Sequence, residues 1–201
     1  MKRRPATVIA CFAVLIASVA AVLVATRLGS GGSDLAAAKR TDSQTLAKQP
    51  LHKRFALLSV RHTNKCALQP QSLDSIATRG RLQGSCCQPM DYTAYKRQVA
   101  GLKRDNTIAQ IPADPYDIPV SLAKQLIAYD ASITLGPSEQ AVYDRAVRIS
   151  HEHGPCCCHC WRWTAFEGQA KFLIRSRRYD AGQIATIWNL EDGCGGRHSN
   201  V

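Results

Sequence analysis

The chain has 201 residues and nine cysteines, and its 26 Lys and Arg against 15 Asp and Glu give a formal charge of +11. Much of that excess lies in the first fifty residues, and the densest later cluster, Arg175, Arg177 and Arg178, falls near a helix end where cations suit the macrodipole. Without a concentrated basic stripe interleaved with stacking aromatics, no nucleic-acid partner is expected.

Residues 1–7 form a basic tip carrying Lys2, Arg3 and Arg4, and residues 8–26 are uncharged and rich in Val, Ala, Leu and Ile. As a helix this run extends about 28 Å, close to the bilayer's hydrocarbon thickness. The preceding cations favour a cytoplasmic N-terminus. The run reads as a transmembrane signal anchor, since a cleaved signal peptide has a shorter apolar stretch followed by a small-residue site. Residues 27–50 turn to Gly, Ser, Ala, Lys, Thr and Gln and read as a flexible linker. Residues 51–201 then form one extracytoplasmic, cysteine-rich domain, long enough to bury a core. The expected location is the cell membrane, single-pass, with the C-terminal domain outside the cytoplasm.

The domain reads as mainly α. Residues 55–60 are a short apolar run that fits helix or strand. Ser72 is placed to cap a short helix to Ala77, and Asp91 to cap one over 92–103, with Tyr95, Val99 and Leu102 on one face. Pro112, Pro115 and Pro119 make residues 111–119 an extended or turning strap. Ser121 then caps 122–132, and Ser138 caps 139–153 up to the Gly154-Pro155 stop. A further helix starts near Pro155 or Cys156 and runs to Arg177, burying Trp163, Phe166, Ala170 and Leu173 or Ile174. Asp180 caps the last helix, 181–190, before Gly193-Cys194-Gly195-Gly196 ends it.

Eight cysteines follow the linker, four of them within five residues: Cys156, Cys157, Cys158 and Cys160. Helical spacing of three or four would bring at least two of these thiols to one face, and a helix N-terminus would favour their thiolates. His159, and thiols from the Cys86-Cys87 pair, are candidates to complete a soft-metal site; thiolate-rich sets select copper(I) or zinc. The predicted ligands are therefore Cys156, Cys157, Cys158, Cys160, Cys86, Cys87 and His159, with Met90 a further thioether. Cluster thiols are expected to meet Cys86-Cys87 or Cys194 in space.

Two alternatives remain open. The even thiol count in an oxidising compartment suits a disulfide-stapled interaction module. The Cys157-x-x-Cys160 spacing suits a thiol–disulfide oxidoreductase, although no βαβ pattern accompanies it. Haem is excluded by Pro155, which stands where C-x-x-C-H needs cysteine. No hydrolytic triad, paired carboxylates or phosphate loop appears, so the reading leans away from an enzyme. Expected partners are the membrane itself and a metal-delivery or redox protein. Glu167 reads as solvated, and His151 and His153 as solvated residues at a helix end.

Overall fold

A computed structural model describes residues 46–196. The predicted anchor over 8–26 lies outside these residues, as does most of the linker. No helix among the described residues is long and apolar enough to cross a membrane.

The domain is mainly helical, as its sequence predicts. In chain order come α1 (Leu51–Leu58), a 3-10 turn (Pro70–Ser75), β1 (Arg81–Gln83), α2 (Tyr92–Leu102), β2 (Asp117–Pro119), α3 (Val120–Ser132), α4 (Pro137–Ile149), α5 (Trp161–Arg177) and α6 (Ala181–Glu191). The ambiguous run at 55–60 is thus mostly helix, and the helix expected after Ser72 is a 3-10 turn begun by Pro70. β1 and β2 form an antiparallel pair in which Leu82 faces Ile118. The proline strap therefore ends as a strand, and Val120 N–H donating to Gly80 O carries the pairing into α3.

Two helices begin as their capping residues predict. Asp91 Oδ1 accepts the Ala94 N–H at 2.8 Å. Asp180 and Gln183 form a reciprocal capping box, with both bonds at 2.9 Å. Others begin earlier than expected. Pro137 occupies the first turn of α4, where its missing N–H costs nothing, so Ser138 is inside the helix; α3 likewise starts at Val120, before Ser121. α4 stops at Ile149, short of the expected His153, which adopts a left-handed conformation at φ 50°.

α5 is the central element. Residues 162, 165, 166, 168, 169, 170, 173 and 174 are all buried, so more than one face is covered. α3 packs along it most extensively, and α4 and α6 pack on each other beside it. Gly168 permits the α3–α5 approach: a Cβ there would lie 1.9 Å from the Leu126 carbonyl oxygen. The main core gathers Leu82, Ile118, Leu126, Trp161, Phe166, Leu173, Ile184 and Trp188. A smaller apolar cluster of Leu46, Leu58, Met90, Tyr95, Val99 and Tyr116 joins α1 to α2. Met90 is thus a packing residue, and the expected thioether role does not follow from its position.

Candidate metal centre

Four irregular segments meet at one end of α5, and each brings cysteine. They are the loop after α1 with Cys66, the loop after β1 with Cys86 and Cys87, the loop entering α5 with Cys156, Cys157, Cys158 and Cys160, and the turn after α6 with Cys194.

Backbone and buried side-chain hydrogen bonds fix their register. Asn64, 1% exposed, donates from Nδ2 to Gly84 O at 3.0 Å and accepts the Trp161 indole N–H at Oδ1 at 3.1 Å. Its own N–H donates to Gln83 O. One side chain thereby ties the Cys66 loop to the loop before Cys86 and to the start of α5. The Cys194 turn is laced to the Cys86 loop in turn: Cys86 N–H donates to Gly193 O at 3.0 Å, Gln88 N–H to Cys194 O at 2.8 Å, and Gly196 N–H to Pro89 O at 2.8 Å.

The 156–160 segment is not helical, contrary to the expected start near Pro155 or Cys156. Cys160 is the N-cap of α5, with extended backbone at φ −102° and ψ −169°. No side chain caps this end; the Trp161 N–H instead donates to Leu68 O at 2.9 Å, a tertiary acceptor. Helical spacing therefore does not assemble the thiols, and an irregular loop turns them inward.

The result is a continuous network of sulfurs. Cys66 Sγ lies 2.7 Å from both Cys87 Sγ and Cys158 Sγ. Cys87 is also 3.4 Å from Cys158, 3.5 Å from Cys86 and 3.9 Å from Cys157. Cys194 stands 2.8 Å from Cys157, 3.3 Å from Cys156 and 3.7 Å from Cys86. Cluster thiols therefore meet both Cys86-Cys87 and Cys194, as expected from their sequence. Three groups of four thiols have all sulfurs within 4.8 Å of one another: Cys66, Cys86, Cys87 and Cys158; Cys86, Cys156, Cys158 and Cys194; Cys87, Cys157, Cys158 and Cys194. Such groups can hold a metal ion, and all eight cysteines among the described residues are free thiols.

Cys160 lies beneath these groups, 1% exposed and in contact with Cys156. Within the C-x-x-C spacing, Cys157 thus turns to Cys194 and Cys160 to Cys156. The centre has a buried base of Cys156, Cys160 and Cys194 and an exposed lip of Cys87 and Cys157.

His159 does not join any of the four-thiol groups. Its imidazole stacks on Trp163 with centroids 3.9 Å apart, on the solvent side of the loop. Trp163, expected in the core, is only half-buried and lies over Gly154, whereas the neighbouring Trp161 indole is fully buried. Glu167 accepts the Tyr143 hydroxyl at 2.6 Å, away from the thiols.

Cys66 and Cys194 complete the groups but stand alone in sequence; Cys194 was expected near the cluster thiols, and only the even thiol count points to Cys66. Arg162 is a further residue with no motif. It is 1% exposed, donating from Nη1 to Pro115 O at 3.1 Å and from Nη2 to the Glu191 carbonyl, while its Nε is buried without a hydrogen-bond partner. Its guanidinium lies 4.9 Å from the Phe166 ring centroid and presses on Gly193, where a Cβ would come within 2.5 Å of Cζ. The ionisable groups that act on it are Cys156, Cys86, Cys194 and Asp192.

That charge and the S–H···S contacts divide the thiols. Contacts from Cys160, Cys194 and Cys86, aided by Arg162, hold the Cys156 thiol far below the ordinary range. Cys194 and Cys86 are pushed up, chiefly through their contact with Cys156. Burial raises Cys157 to about 11. The arrangement presents one strongly favoured thiolate backed by a fixed cation and ringed by further sulfur donors. No family model, curated protein or solved structure matches the chain.

Proposed function

We propose that this domain binds a soft metal ion of the copper or zinc class through its clustered thiolates. The observation that carries the reading is the three overlapping four-thiol groups, each with sulfurs within 4.8 Å of one another. A disulfide framework needs each sulfur close to one other, whereas Cys87 has four sulfur neighbours within 3.9 Å and Cys194 has three within 3.7 Å. Multiple sulfur neighbours suit a site where several thiolates converge on metal. Arg162 adds to the case, since its buried guanidinium faces Cys156, Cys86 and Cys194 as well as Asp192 and so favours the deprotonated, ligating form of these thiols.

Residues 8–26 would hold the domain at the outer face of the membrane, and the exposed lip of Cys87 and Cys157 would exchange metal with a delivery partner. Storage, sensing or transfer of the ion is the role this arrangement serves, and no substrate chemistry is required of it. A second reading, the disulfide-stapled module, draws on the 2.7–2.8 Å approaches of Cys66 to Cys87 and of Cys157 to Cys194.

Thiol counting with and without reductant, paired with elemental analysis of the natively purified protein, separates the two. Reactive thiols that become blocked as copper or zinc binds are the expected result. Eight oxidised cysteines with no stoichiometric metal would overturn the metal reading in favour of the stapled module.

A further inference from the structure

The three four-thiol groups are not separate sites. Cys158 belongs to all three, and Cys86, Cys87 and Cys194 each belong to two. Three independent four-coordinate ions would need twelve sulfurs, and the groups contain seven. Simultaneous occupancy therefore requires sulfurs that each bind more than one ion, with Cys158 the common vertex.

The spacing agrees. Metal–sulfur bonds of about 2.3 Å place neighbouring sulfurs of one tetrahedral ion about 3.8 Å apart. Separations of 3.3–3.9 Å run without interruption from Cys87 through Cys158 and Cys157, and from Cys87 through Cys86 and Cys194 to Cys156. The closer approaches at Cys66 and at Cys157–Cys194 would open by about 1 Å on loading.

Charge makes the same selection. A single ion bound by one group leaves the other four thiols of the cluster outside its coordination shell. Monovalent ions threaded through the network let more of its sulfurs ionise while each added cation offsets a thiolate. The negative charge that remains faces Arg162, whose buried Nε has no hydrogen-bond partner. An all-sulfur donor set from which His159 is withdrawn is a soft one, suited to copper(I) and zinc alike, and the sharing of its sulfurs among monovalent ions selects copper(I) between them.

We propose that the thiol cluster holds a polynuclear copper(I)–thiolate centre, with at least two ions bridged by Cys158 and the residual anionic charge balanced by Arg162. This rests on the soft-metal reading above and goes beyond it in nuclearity, oxidation state and bridging residue. No electron transfer is involved: copper arrives as copper(I), and each ligand thiol gives up a proton to solvent as its sulfur binds.

The test is a titration of the reduced full-length chain, in detergent and without oxygen, with copper(I) and separately with zinc, followed by native mass spectrometry. The expected result is metal-free protein coexisting with a single multi-copper species at substoichiometric copper, and a short copper–copper path in X-ray absorption. Successive single adducts ending at one copper per chain would overturn the polynuclear centre and leave the soft-metal reading standing. So would one zinc per chain that copper does not displace. Free thiols that retain neither metal would overturn both. Cys158→Ser should abolish all-or-none loading and remove more copper than Cys66→Ser, because Cys66 serves one group only. Equal losses from the two variants would refute Cys158 as the bridge. If Cys158→Ser fails to fold, by circular dichroism of the metal-free protein, the wild-type spectra alone decide the proposal.

Discussion

Asn64→Ala would cut the ties among three cysteine-bearing loops without touching a sulfur. Alanine keeps the backbone N–H bond to Gln83 O but loses both side-chain bonds, stranding the Trp161 indole N–H and the Gly84 carbonyl. Trp161 is fully buried and Asn64 only 1% exposed, so water has little access to replace the amide. Each unsatisfied buried group costs about 1–3 kcal/mol, and partial relaxation of the Gly84 loop brings the expected total to about 3 kcal/mol. The assay is guanidinium unfolding of the reduced, metal-free protein, read as a drop in midpoint at unchanged slope. Lys65→Ala, at the exposed neighbouring position, serves as the control. A loss below about 1 kcal/mol for Asn64→Ala would refute the idea that this amide organises the loops.

Arg162→Met should weaken copper or zinc affinity by about 10–100-fold, and Arg162→Lys should recover part of it. Equal affinity losses in the two variants would assign the residue a packing role only. Burial pushes the Glu191 carboxyl up to about 8, so the folded state holds a proton that the unfolded chain releases near its ordinary value. Glu191 therefore contributes stability that is full below about pH 4.5 and is lost as pH rises to about 8. Glu191→Gln should flatten that slope in the metal-free protein, and unchanged pH dependence of unfolding would disprove the assignment. Gly168→Ala places a Cβ against the Leu126 carbonyl and should cost about 3 kcal/mol by forcing α3 from α5, measurable as a lower Tm. Stripping bound metal with a thiol-compatible chelator should also lower Tm. With free ion at a hundred times Kd, the bound state gains about 2.7 kcal/mol.

The mainly helical fold was legible where the determining residues lie close in sequence. Asp91 and Asp180 reach N–H groups three residues away, and Tyr95, Val99 and Leu102 share a face because helical spacing puts them there. The start of α5 was not legible. The acceptor for the Trp161 N–H is Leu68 O, a group more than ninety residues earlier, so nothing local marks the boundary. The strands were hidden for another reason: three residues each give no period, and Asp117–Pro119 sits in a proline-rich stretch. In the site, the crowded 156–160 thiols announced themselves, whereas Cys66 and Cys194 are isolated in sequence and joined only by folding. His159 misled because adjacency to cysteine says nothing about ring direction; Trp163 offers it a stacking surface outside the thiols. Arg162 had a faint signal, since it falls in helical phase with Phe166, Gln169 and Leu173, all buried.

The contacts between sulfurs also set the order of events in folding. Cys66 meets Cys158 across 92 positions, Cys87 meets Cys158 across 71, and Cys86 meets Cys194 across 108. Bringing such distant groups together by diffusion of a loose chain is entropically slow, and each sulfur contact alone is too weak to hold the loop shut. Docking of α3 and α6 around α5 is therefore expected before the thiols converge. Any atom that then joins the sulfurs closes a long loop, and a cross-link spanning about 100 residues withdraws about 4.7 kcal/mol of chain entropy from the unfolded ensemble. The thiol cluster would thus serve as a latch on the finished topology, adding its constraint once the helices have brought the four loops together.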